Sequence, residues 1–341
     1  MYKYAILILF LFNCKQESLL FKKFNKGSNL ISHSEIGFSI SYKDCKECHE
    51  KEYNTWKESA HANSFSNPLF QIAYSLEHRE WCRNCHAPLF NPKLEDRNEL
   101  NKYAKEEGIN CAVCHIRQGK IVSKLEEPSK NKEHQYIKNL EISKSEVCAN
   151  CHEFPFPKEH HPNFSYGTAP MQSTYSEYLQ TDYPKKDKKC QSCHFKKEDH
   201  NPISIMRDLP ELLKVQFSTK PSFDNASYNL NVNIKIEKIG HNFPTGDLFR
   251  TLSIYAYNDK KDLLWQKDFS KSVNLKNRET IFDNRIKNSG KGIKKEITQK
   301  LFQKPVTCKV IYRLQEPIEA HIQKFLPEEK YKVIVYSGEC N

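Results

Sequence analysis

Ten of the thirteen cysteines fall into five copies of one pattern, Cys-x-x-Cys-His: Cys45, Cys48 and His49; Cys82, Cys85 and His86; Cys111, Cys114 and His115; Cys148, Cys151 and His152; Cys190, Cys193 and His194. Two thiols three residues apart, followed at once by an imidazole, form the attachment site of a c-type haem. The thiols bond covalently to the porphyrin vinyl groups, which clamps the ring over the next residue. That residue, the histidine, becomes the proximal iron ligand. Chance predicts about 0.02 such pentapeptides in a chain of this composition, so five require a common cause.

Zinc knuckles and a disulfide framework are the competing readings. Paired Cys-x-x-Cys knuckles would leave the histidine after every second cysteine unexplained, and five knuckles do not pair evenly. A disulfide framework also gives the histidines no role. Covalent haem c, five per chain, is therefore the expected cofactor. The formal charge of +11 points first to nucleic acid. Five haems would carry about ten propionate charges, which nearly cancel that excess, and the lysines are scattered; no nucleic-acid partner is expected.

Three cysteines remain. The chain opens with Met1-Tyr2-Lys3-Tyr4 and an apolar run from Ala5 to Phe12, too short to span a bilayer and typical of a secretory signal. Cys14 closes that run and resembles a bacterial lipoprotein cleavage site, where the thiol is lipidated. An exported protein of the periplasm or outer membrane is expected, with residues 1–13 as signal and 14–38 as a lipid-anchored tether. Cys308 and Cys340 lie far from the motifs, and in an exported chain they are expected to pair as a disulfide.

The elements that must position the motifs divide into two parts. Residues 39–205 hold all five, at irregular spacings of 37, 29, 37 and 42 residues between first cysteines, so this is no regular repeat array. The stretch has few apolar runs. Porphyrins would supply the missing apolar surface, with short motif-bearing helices and long loops around them. His49, Tyr53, Trp56 and Ala60 recur at helical spacing and predict one face running from the iron ligand. From residue 213 to 341 the pattern changes. Leu230 to Ile236 alternates apolar and polar residues, and Leu252–Tyr257, Leu263–Trp265, Val306–Leu314 and Tyr331–Tyr336 are further strand candidates. The expected architecture is a mainly α or irregular haem domain with little regular structure, followed by an all-β, sandwich-like domain.

Beyond its first motif the chain continues Trp56-Lys57-Glu58-Ser59-Ala60-His61-Ala62, a Trp-x-x-Ser-x-His-Ala run. Gly108-Ile109-Asn110 precedes the third motif and Thr174-Tyr175-Ser176-Glu177-Tyr178 precedes the fifth. Gly240-His241-Asn242-Phe243-Pro244-Thr245-Gly246 follows in the β part. Over about residues 40 to 260 these features resemble the cytochrome c554-type multihaem cytochromes, related to the multihaem core of hydroxylamine oxidoreductase; that group more often has Trp where Tyr178 stands. The resemblance implies electron transfer through mostly bis-histidine haems.

Nine histidines lie outside the motifs. The resemblance implies His61 as a distal iron ligand, and His134 as a ligand to an earlier haem. His241 sits before a rigid Pro-Thr-Gly turn that could hold an imidazole over a neighbouring haem. One ligand is expected from the His160–His161 pair, with His161 the candidate, and His78 completes a candidate set of five. His200 stays in the pool outside that set, while His33 and His321 read as surface residues. Neither Met171 nor Met206 is singled out as a ligand.

Saturated haem irons do outer-sphere chemistry, so the leading reading is an exported electron carrier, not an enzyme, working with redox partner proteins or a membrane electron-transport chain. The alternative is a multihaem reductase or oxidase of a small nitrogen or sulfur compound, which needs one open iron site. No Cys-x-x-Cys-Lys motif of the kind used at the active haem of pentahaem nitrite reductases is present.

Overall fold

A Cys-x-x-Cys-His run needs one turn of helix, because residues three and four apart share a face. The computed structural model describes residues 41–341 apart from 77–79, 92, 96, 118, 126–135, 158–165, 197–198, 247, 275, 291 and 315–323. The motifs sit on such turns. Cys45 lies on α1 (Tyr42–Lys46), and the amide of His49 donates to the Cys45 carbonyl at 2.9 Å before α2 (Glu50–Trp56) begins. After α3 (Pro68–Leu76), the second motif lies on α4 (Arg83–His86) and the residue before it. α5 (Glu99–Glu107) leads to the third on α6 (Cys111–His115), and the fourth ends α7 (Glu146–His152). After α8 (Thr174–Leu179), the fifth forms α9 (Cys190–His194).

Short strands between these helices were not legible in the sequence. β1 (Ile116–Arg117), β2 (Lys120–Ser123) and β3 (Ile137–Lys138) form one small sheet, and β4 (Glu153–Pro157) pairs with β5 (Tyr166–Ser173). Each pairing is too short and too interrupted to leave a period-two pattern. The predicted helical face also stops early. α2 ends at Trp56, and Ala60 lies exposed in a turn closed by the Ser59 amide on the Trp56 carbonyl at 2.8 Å. Tyr53 and Trp56 do share a face, joined by Tyr42, whose ring stacks on Tyr53 at 4.9 Å.

α10 (Ile205–Leu212) leads into the β part and packs Leu209 into its core. One sheet is ordered β12–β7–β6, from β6 (Lys214–Pro221), β7 (Tyr228–Ile236) and β12 (Ile293–Leu301). The other is ordered β14–β13–β8–β9, from β8 (Thr251–Tyr257), β9 (Leu263–Phe269), β13 (Thr307–Arg313) and β14 (Lys332–Glu339). A hairpin of β10 (Lys271–Asn274) and β11 (Glu279–Asp283) stands apart from both. The alternation in β7 turns Leu230, Val232, Ile234 and Ile236 into a common core with Leu252, Ile254, Val310 and Tyr312 of the second sheet. β6 and β12, flanking β7, carry too few buried positions to have stood out in the sequence.

Cys308 on β13 and Cys340 just after β14 form a disulfide, with Cα atoms 5.1 Å apart and both residues fully buried. It ties down the C-terminus across a 32-residue separation. Replacing both with serine is expected to lower unfolding free energy by about 2–5 kcal/mol, read from denaturant melts of the haem-loaded protein. Melts that coincide with wild type would show that this crosslink contributes nothing.

Candidate haem-binding sites

Three pairs of histidine rings face each other across gaps of one size. His61 and His152 have ring centres 6.4 Å apart, His115 and His200 6.3 Å, and His194 and His241 6.4 Å. Two imidazoles on opposite sides of one metal, each bonded at about 2 Å, have ring centres about 6 Å apart. In each pair one member closes a Cys-x-x-Cys-His motif and the other comes from elsewhere in the chain. The arrangement therefore fits a metal held by a proximal and a distal histidine over a covalently clamped ring.

The nitrogens are oriented for that purpose. The Nδ1 atom of His115 lies 3.1 Å from the Val122 carbonyl, that of His86 2.7 Å from the Ser64 carbonyl, and that of His241 2.9 Å from the Asn242 carbonyl. His152 Nδ1 instead meets the Gln172 side-chain amide at 3.0 Å. Where Nδ1 donates to a carbonyl, as in His86, His115 and His241, the ring is fixed and Nε2 is left for iron. Withdrawal from water, then the neighbouring His194, pushes the His61 imidazole down to about 4; burial similarly takes His152 to about 3 and His194 to about 4. Burial also lowers His115 and His241. These rings are neutral at neutral pH, the form a metal requires.

The motifs adjoin one another. Cys45 is within hydrogen-bonding reach of Cys111, and Cys148 of Cys190. Cys114 and Cys151 sense each other's charge, as do His86 and His152. The attachment points thus run first, third, fourth, fifth, with the second beside the fourth. All ten motif thiols are outside disulfides. Among the described residues no three His, Cys, Asp or Glu side chains are grouped to hold a metal ion, as tetrahedral zinc would need.

Residues 44–116 match the family model described as cytochrome c554 and c-prime. Over this segment the chain resembles the multihaem c-type cytochromes. The chain shares its fold with the crystal structure of a penta-heme cytochrome c552 from Thermochromatium tepidum, at 19% identity, covering 88% of this chain and 98% of that chain with a TM-score of 0.64. No curated protein matches it.

The segment around His61 explains why the matched region holds together. The Trp56 indole donates to the Ile109 carbonyl at 2.8 Å, and the Ile109 amide donates to the His61 carbonyl at 3.0 Å. Ser59 Oγ accepts the Ala62 amide at 3.1 Å, fixing the turn that carries His61. Ser64 donates to the His86 carbonyl at 2.8 Å while His86 donates back to the Ser64 carbonyl. Asn110 caps α6 through the Ala112 amide at 3.1 Å and donates to Glu107 at 2.6 Å. One short loop therefore positions His61, His86 and the start of the third motif.

His241 reaches the motif region from the β part. Its turn is stitched to Ile286 by a pair of backbone bonds at Phe243, and the Asn242 amide donates to buried Glu177 at 3.1 Å. Arg285, one-tenth exposed, pairs with Glu177 at 2.7 Å and with Asp283 at 2.7 Å. These carboxylates hold the guanidinium above its usual range despite its burial. The ion network clamps the strand-bearing part onto α8, beside the fifth motif.

Of the sequence candidates, His61 and His241 face motif histidines. His78, His134 and His161 lie outside the described residues, as do Cys14, His33, His160 and His321. His200 does face a motif histidine although the sequence left it outside the leading set. It follows the fifth motif by six residues, in a polar stretch with no spacing signal, and only the chain's return toward α6 brings it opposite His115. Phe195 sits between two of the pairs, 6.3 Å from His61 and 6.5 Å from His200.

Proposed function

We propose that this chain carries five haems c and works as an exported electron carrier. In this reading Cys45 and Cys48, Cys82 and Cys85, Cys111 and Cys114, Cys148 and Cys151, and Cys190 and Cys193 hold the haems covalently. His49, His86, His115, His152 and His194 are the proximal ligands. His61 is the distal ligand at the fourth motif, His200 at the third and His241 at the fifth. The single observation that carries the proposal is the common spacing of the three histidine pairs, 6.3–6.4 Å. Haem c, when bound, supplies one-electron ferric–ferrous chemistry. The chain's part is to saturate the irons, keep water from them and hold neighbouring sites close enough for electrons to pass.

The domain division proposed is a haem-binding part over 39–205 and a sandwich-like part over 213–341. The second contributes more than a cover, because it supplies His241. The N-terminal sequence supports a signal over 1–13, lipidation at Cys14 and a tether to residue 38, hence a periplasmic or outer-membrane protein anchored by lipid. Among the described residues no helix is long and apolar enough to cross a membrane. Redox proteins are the general class of partner.

The test is a pyridine haemochrome assay with ferric EPR of the purified full chain. Five haems per chain, with low-spin signals at the three described pairs, is the expected result. Fewer haems would sink the count, and a high-spin component of one haem in the wild type would favour catalysis at an open iron.

A further inference from the structure

Arg117 follows the third motif by two residues and is largely withdrawn from solvent. Its Nη1 donates back to the Val113 carbonyl at 2.9 Å and the Ile116 carbonyl at 2.6 Å, at the carbonyl end of α6. Its Nη2 is buried and has no hydrogen-bond partner, and no carboxylate pairs with it among the described residues. Its partner across the β1–β2 register is Lys120, exposed and of the same sign. A guanidinium stays protonated even where burial lowers its pKa, as it does here. A cation withdrawn from water without an acidic partner is disfavoured, and helix carbonyls offset only part of that.

Anchored on the Val113 and Ile116 carbonyls on either side of them, the charge is near enough to act on Cys114, the second thiol of the third motif, and on His115. Cys114 in turn neighbours Cys151 of the fourth motif. Arg117 therefore stands beside the thiols that would hold the third haem, with Cys151 of the fourth motif near Cys114. A ferric haem with two neutral imidazoles has a core charge of +1, which falls to zero on reduction. A fixed positive charge in a low-dielectric site disfavours the first state relative to the second. We propose that Arg117 is a built-in electrostatic bias that makes the third-motif haem, and more weakly the fourth, easier to reduce, so that electrons collect at the middle of the series. This rests on the haem assignment above.

The test is a potentiometric titration of the full-length haem-loaded protein, followed by EPR of the low-spin ferric signals. Haem per chain is measured first. Absence of haem in the wild type would defeat the assignment itself, whereas full loading with unmoved potentials would defeat only the role of Arg117. In Arg117→Gln, the reduction equilibrium of one haem should shift at least tenfold toward the ferric form, which is about 59 mV for a one-electron couple. The shifting signal should be the one that His200→Ala converts to high spin. Arg117→Lys, which keeps the charge, should stay within about threefold of wild type. Unchanged potentials in Arg117→Gln, or a fall in Arg117→Lys as large as in Arg117→Gln, would overturn the proposal; the latter would mean that packing, not charge, sets the potential. Arg117→Met is the second neutral variant should the glutamine protein fail to mature. If neither loads haem, the lysine variant decides, wild-type potentials supporting the proposal and a tenfold fall refuting it.

Discussion

In His61→Ala, the haem at the fourth motif should lose its sixth ligand and turn high-spin, while the haems at the third and fifth motifs stay low-spin. The reason is geometric. His61 faces His152 at 6.4 Å, and the third and fifth motifs have their own partners in His200 and His241. The imidazole also stands between Phe195 and His152, so its removal opens a gap beside both rings. Ferric EPR of the purified variant should show a new low-field high-spin signal worth about one haem, with haem content unchanged because the thioether bonds remain. Exogenous imidazole should restore the low-spin signal. A variant with every iron still low-spin would remove His61 from the coordination scheme.

Gly108→Ala is expected to be strongly destabilising for the change of one hydrogen to a methyl group. Gly108 has φ +56°, a conformation that residues with a Cβ adopt only under strain. An added Cβ would lie 2.4 Å from Ser64 Oγ, 2.7 Å from the His61 carbonyl oxygen and 3.0 Å from that of Ala62. The serine hydroxyl can rotate away. The two carbonyls cannot, because the His61 carbonyl accepts the Ile109 amide and the loop is held by Trp56 and Ser59. Backbone strain and overpacking together should cost about 2–5 kcal/mol. Thermal unfolding measures the loss. The EPR signal of the fourth-motif haem should broaden at the same time, since the displaced atoms carry His61. A variant with wild-type melting and sharp signals would show that the loop yields without cost.

The close approach at Gly108 also says what the Trp-x-x-Ser-x-His-Ala run and the Gly-Ile-Asn run have to do with each other. In the sequence they are separate marks, nearly fifty residues apart. In the structure they are the two sides of one contact: Trp56 on Ile109, Ile109 on His61, and Asn110 capping the helix that carries Cys111 and Cys114. A local resemblance therefore corresponds to a local mechanical unit, and the family match over residues 44–116 covers it.

The sequence by itself determined the chemistry and the coarse order of the parts. Covalent attachment is a local event, complete within five residues, so Cys45 to His49 and its four repeats are legible without any fold. The alternation of Leu230, Val232, Ile234 and Ile236 is equally local, because a strand exposes its two faces to two different solvents. The tertiary structure alone shows which motif histidine faces which other histidine. A distal ligand is defined by the other side of a porphyrin, and nothing in the spacing of His61, His200 or His241 encodes whether it will meet His152, His115 or His194. His200 shows the limit most clearly. It lies in a polar stretch without period, and it is set opposite His115 only because α9 and the chain after it turn back toward α6. Arg117 is the same case in charge rather than coordination. One more arginine among fifty-three basic residues has no mark in the sequence, and only its placement near Cys114, with no carboxylate beside it among the described residues, points to the proposed electrostatic role.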